Sequence, residues 1–183
     1  MKRLALCSGL LTLAGTLLWL LLRWEILLPV TITTGTVFYH IAIRLLIGQV
    51  FDRFLPNGVS YRNPWFQPAP WEKTIYEKLR VKRWKNKMPT YTPIEFQSTA
   101  HSWKSIVRAM CKAELIHEVN VVVSFVPIFF SLWLGAFPVF AVTSVLAAGY
   151  DLLFVILQRY NRPRVLRLVL REGRSHRHSG NGE

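Results

Sequence analysis

Glu114 and His117 stand three residues apart in "CKAELIHE", a spacing that lets a carboxylate and an imidazole touch on one helix face. A carboxylate bonded to one ring nitrogen fixes the tautomer and leaves the other nitrogen to act as a base. The same pair can equally serve as an interfacial ion pair that caps a helix bundle. Glu-x-x-His is also half of a di-iron carboxylate motif. It occurs here as a single copy without the further glutamates such centres need, so no metal is expected. A second set of polar residues closes "YDLLFVILQRYNRPR" (150–164), where Gln158, Arg159, Asn161, Arg162 and Arg164 follow an apolar run. A stop-transfer segment needs only a lysine or two there, so this density of hydrogen-bond donors suggests that they face a site. His40 and Arg44, four residues apart, share a helix face inside another apolar segment. Ionisable residues at that depth are functional candidates by default, although packing or snorkelling explains either one equally well.

Those residues need apolar elements to carry them, and the composition supplies these. Of the 183 residues, 51% are hydrophobic, mean hydropathy is +0.25, and the apolar residues lie in long runs rather than at core-like spacing. One domain over 1–174 suits that length, with 175–183 a polar tail expected to be disordered. Spans are expected over about 4–22, 26–51, 115–134 and 139–157, with tight turns at "RWE" (23–25) and "GAFP" (135–138). The first run is too long for a signal-peptide core and no small-x-small site follows it, so it reads as an uncleaved helix. The fold class is therefore all-α integral membrane, with about four transmembrane helices. Cys7 and Cys111 form no C-x-x-C pair and read as two inert thiols.

Charge orients these spans. The chain carries 23 Lys+Arg against 10 Asp+Glu, a formal charge of +13, and most of the excess falls on one side of a four-span arrangement. Lys2 and Arg3, the loop 52–114 and the arginine-rich tail from 158 share that side, so both termini and the loop are expected to be cytoplasmic. Nucleic acid is then a poor explanation of the charge. The loop is expected to contain interfacial helices. It holds the proline- and aromatic-rich "YRNPWFQPAPW" (61–71), suited to the headgroup layer, and then the basic stretch 71–89. Lys82, Arg83, Trp84 and Lys85 there form either a lipid-binding surface or a docking patch for a phosphorylated donor or an acidic carrier protein. Counting 19 residues back from the turn at 136 reaches His117, and a similar count forward reaches Val155. Gln158 then lies roughly 5 Å further along the helix, close to His117 in depth.

Taken together, "WEKTIYEKLRVKRWKNKMP", "CKAELIHE" and "ILQRYNRPRVLRLV", in that order, resemble the glycosyl-4,4'-diaponeurosporenoate acyltransferases. These are small bacterial membrane proteins of the last step of staphyloxanthin-type carotenoid synthesis. The likeness covers roughly residues 71–172. It implies transfer of a fatty acyl group from an activated donor to a sugar hydroxyl of a membrane glycolipid, with a 6-O-acylated glucosyl ester as the carotenoid product. On that chemistry His117 is the candidate base and Glu114 its orienting partner. Arg159 and Asn161 are candidates for the developing oxyanion, and Gln158, Arg162, Arg164, His40, Arg44 and the 82–85 patch for substrate. Expected partners are the bilayer, the glycolipid acceptor and an acyl-CoA, acyl carrier protein or acyl phosphate donor. No bound cofactor is expected, and self-association is compatible with so small a bundle. Two rivals remain on sequence alone: a membrane adaptor that binds anionic lipid, and a small membrane methyltransferase or reductase using S-adenosylmethionine or NADPH.

Overall fold

The structure, a computed structural model, describes residues 1–88 and 101–179, with side chains to Glu172. Among the described residues the chain is helical and contains no strand. The helices are α1 (Lys2–Leu22), α2 (Leu27–Phe54), α3 (Glu72–Lys78), α4 (Val81–Trp84), α5 (Trp103–Val123), α6 (Val126–Leu134) and α7 (Phe137–Ser179). Four stretches are long and apolar enough to cross a membrane: Lys2–Leu22, Leu27–Phe54, Trp103–Leu134 and Phe137–Glu172. Outward-facing Leu21, Val122, Leu132 and Trp133 would be costly in water but are at home among lipid tails.

The contacts divide the chain into two units, and α5 and α7 contribute to both. Unit 1 holds Met1–Phe54 and Ile116–Leu152. Within it α1 and α2 form a hairpin that turns at Arg23, whose left-handed φ of 56° lets its N–H bond the Trp19 carbonyl at 2.9 Å. The pair packs through small residues: a Cβ at Gly15 would stand 2.6 Å from Thr31 Oγ1. α6 and α7 are joined through Gly135 (φ 65°) and Ala136 (φ 52°), inside the expected turn at 135–138.

The third apolar stretch departs from a single straight span. It begins at Trp103 rather than 115 and breaks between α5 and α6 at Ser124 and Phe125. Pro127, in the first turn of α6, has no N–H to return to the Val123 carbonyl. Tyr39 of α2 donates its hydroxyl to that carbonyl at 2.9 Å, so the acceptor freed by the proline is satisfied from a neighbouring helix.

Unit 2 holds Leu55–Leu115 and Leu153–Glu183 as far as they are described. Its core is Phe66, Val107 and Cys111, with Val59, Tyr61, Leu115, Val165, Leu166 and Val169 packed around them. That packing explains a second departure. The fourth span was expected over about 139–157, yet α7 runs Phe137–Ser179 and passes through Pro163. Proline costs one backbone bond and some crowding, about 3 kcal/mol, whereas Val165, Leu166 and Val169 bury apolar surface only if the helix goes on. The basic stretch is also not one helix: Arg80, with φ 50°, separates α3 from α4. The 175–183 tail lies beyond the described side chains, and its last four residues, like 89–100 of the loop, lie outside the described residues altogether.

Candidate active site

In unit 1, α2, α5 and α7 bring three charged groups together. Asp151, fully buried, accepts from His117 Nδ1 at 2.9 Å on one oxygen and from Arg44 Nη2 at 2.5 Å on the other. Arg44 is held further by the carbonyls of Ala147 (2.9 Å) and His40 (2.6 Å). An isolated carboxylate here would be expensive, and the arginine makes the ionised form tenable. The His117 side chain keeps 23% of its surface accessible. With its Nδ1–H given to Asp151, the imidazole carries its lone pair on Nε2, the arrangement a general base requires.

Several buried polar atoms of this unit have no protein partner. Among the described residues they are the Thr31 Oγ1, the Arg44 Nε, both ring nitrogens of His40, the Asn120 Oδ1 and the Ser144 Oγ. His40 and Arg44 lie one turn apart on α2, and Ser144 lies two turns before Asp151 on α7. Each such atom costs about 1–3 kcal/mol if nothing meets it, so the interior is suited to polar groups of a ligand.

Unit 2 has its own network. Glu114, fully buried, accepts from Arg159 Nε at 2.7 Å and from Arg162 Nη1. Arg159 also reaches Glu72 Oε1 at 2.6 Å and the Trp65 carbonyl at 2.8 Å, and Tyr76 donates to Glu72 Oε2 at 2.6 Å. Arg162 lies over the Phe66 ring at 5.3 Å. Lys85 bonds Asn161 at 3.4 Å, and both Lys85 and Arg164 face the Tyr160 ring. Burial, together with its hydrogen bond to Glu72, pushes the Tyr76 phenol well above its ordinary pKa.

His117, His40 and Arg44 belong to the unit 1 cluster. Glu114, Arg159, Asn161, Arg162, Arg164 and Lys85 belong to the network in unit 2. Asp151 accepts from His117 Nδ1, and Glu114 accepts from two arginines one turn apart on α7. Gln158 is half-buried on α7, Lys82 and Arg83 are exposed on α4, and Trp84 donates its indole N–H to the Leu79 carbonyl at 3.0 Å. Sequence reasoning passed over Asp151 and Glu72. Asp151 had a signal, an acid inside the apolar run "GYDLLF". Glu72 had none, since it opens a stretch dominated by lysine and arginine.

The three sequence pieces that carried the resemblance, from the loop, α5 and α7, supply Glu72, Glu114, Arg159 and Arg162 of one network. No match was found among curated proteins or among solved structures. The sequence profile of the glycosyl-4,4'-diaponeurosporenoate acyltransferases matches residues 62–171, more than half of the chain. The chain therefore belongs to the glycosyl-4,4'-diaponeurosporenoate acyltransferase family.

Proposed function

We propose that this acyltransferase moves a fatty acyl group from an activated donor to a sugar hydroxyl of a membrane glycolipid, with a glycosylated carotenoid acid as the acceptor. The observation that carries the reading is the Arg44–Asp151–His117 relay. In this reading His117 Nε2 takes the proton of the sugar hydroxyl as its oxygen attacks the acyl carbonyl. Asp151 steadies the imidazolium that forms. The negative charge that gathers on the carbonyl oxygen is met by a buried N–H donor, and Arg44 Nε, unpaired in the interior, is suited to that role. Collapse of the tetrahedral adduct breaks the bond to the leaving group, a thiolate for a thioester donor, and the imidazolium returns the proton to it. The acyl group passes directly to the sugar, and none of these steps calls on a bound cofactor. The Tyr39–Val123 bond and the small-residue packing of α1 on α2 support a rigid bundle around the relay.

The bacterial cell membrane is the proposed location, with both termini and the 52–114 loop in the cytoplasm where activated acyl donors occur. The excess of lysine and arginine in those segments supports it. The test is transfer of labelled acyl groups from acyl-CoA into lipid by membranes containing the protein, with a glucosyl carotenoid acid and host glycolipids as acceptors. Label should enter a glycolipid with the wild type and not with Asp151→Asn. Equal labelling by the two proteins would remove the relay from the mechanism.

A further inference from the structure

Unit 2 carries a basic cleft that neither the relay nor the Glu114 network uses. One lobe, of about 250 Å³, is lined by Ser60, Tyr61, Arg62, Lys104 and Arg108. A second lobe, of about 460 Å³, shares Lys104 and Arg108 and adds Asn57, His101, Ser102 and Ser105 among its walls. The walls are held in place. Gly58, at φ 72°, lies so close to α5 that a Cβ there would stand 2.7 Å from the Arg108 carbonyl carbon and oxygen. Val59 N–H bonds that same carbonyl oxygen at 3.2 Å. Ser102 caps the start of α5 by accepting from Ser105 N–H at 3.3 Å, so the positive end of a 21-residue helix opens at this cleft.

Among the described residues no acidic side chain pairs with Arg62, Lys104 or Arg108, in contrast to Arg159 and Arg162, which are bound to carboxylates. The Arg108 Nε is buried without a partner. Cations held together at close range without carboxylates repel one another, and a multiply charged anion relieves that repulsion. A phosphate monoester beside a diphosphate supplies such an anion. A single lipid phosphodiester supplies one charge and fills little of a two-lobed cleft.

We propose that this cleft binds the phosphorylated nucleotide end of a coenzyme A-type acyl donor, with Arg62, Lys104 and Arg108 on its phosphates. The proposal rests on the acyl-transfer reading for the identity of the donor. It does not depend on that reading for the binding itself.

The test titrates full-length protein in neutral phosphatidylcholine nanodiscs with coenzyme A and with dephospho-coenzyme A. Coenzyme A should bind at least about tenfold more tightly, as expected of charge-assisted bonds to the extra phosphate. The double variant Lys104→Gln/Arg108→Gln should lose that preference, while Lys2→Gln/Arg3→Gln, with the same change in net charge, should keep it. Thermal scans establish that each variant is folded, and Lys104→Gln alone replaces the double variant if that one is not. Equal binding of the two ligands, or wild-type preference in the cleft variant, overturns the proposal. A parallel arm measures enrichment of phosphatidylglycerol around the protein in mixed discs. Loss of that enrichment in the cleft variant with coenzyme A binding unchanged assigns the cleft to headgroups and also overturns it. Acyl transfer is read separately. Coenzyme A bound at the cleft with no transfer from acyl-CoA leaves this site standing and overturns the donor in the acyl-transfer reading. Transfer with an unchanged KM in the cleft variant does the reverse.

Discussion

His117 and Glu114 are neighbours in sequence whose removal should have opposite consequences. His117 is partly accessible and its imidazole carries a basic nitrogen, so His117→Ala should lower kcat by about 10²- to 10⁴-fold with a thermal scan close to wild type. Glu114 is fully buried between two guanidinium groups, and Glu114→Gln strands the Arg162 cation, itself buried, without its counter-charge. A loss of about 3–5 kcal/mol is expected there, read as a lower unfolding midpoint or failure to accumulate in the membrane. Wild-type stability of Glu114→Gln would contradict the structural role of that network. Tyr76 offers a pH handle on the same network. Its folded pKa is raised by burial and by the bond to Glu72, so it contributes stability that is complete below the ordinary phenol value of about 10 and declines as pH rises above it. Tyr76→Phe should therefore flatten the alkaline limb of the stability profile, and an unchanged limb would show that other groups dominate there.

At the level of elements, two prolines act differently because their surroundings differ. Pro127 coincides with a break between α5 and α6, and the carbonyl it leaves at Val123 is taken up by Tyr39. Tyr39→Phe keeps the ring and removes only the hydroxyl, so an unsatisfied carbonyl in an apolar interior should cost about 1–3 kcal/mol. Unfolding in graded denaturing detergent measures it, and a midpoint equal to wild type would mean that the carbonyl finds another donor. Pro163 lies within a continuous helix, because the residues that follow it bury apolar surface on Phe66, Val107 and Cys111. The difference lies in what the next turn gains by continuing, which the proline itself does not encode.

For the whole molecule, the four apolar helices and their outward-facing leucines make it a membrane protein. Family membership makes it an acyltransferase, which decides against the adaptor and against the methyltransferase or reductase alternatives. Its proposed orientation is open to a direct check. After replacement of Cys7 and Cys111, a membrane-impermeant thiol reagent added to intact cells should label Glu25→Cys in the α1–α2 turn and spare Lys87→Cys in the loop. Labelling in the opposite sense would invert the topology and place the donor on the wrong side of the membrane.

Local pattern alone was enough for the number of spans, the two tight turns at 23–25 and 135–138, and the basic loop. The match between apolar length and bilayer thickness is a property of consecutive residues. The candidate groups were legible as well, because ionisable residues in apolar runs stand out wherever the chain later carries them. Only the tertiary structure decided which charge meets which. His117 pairs with Asp151, 34 residues away, and Arg44 reaches the same carboxylate across 107. Arg159 joins Glu114 and Glu72 across 45 and 87 residues. In a low-dielectric interior each buried charge must find a counter-charge. Which one it finds depends on which helix faces pack together, and helical spacing within one segment carries no record of that.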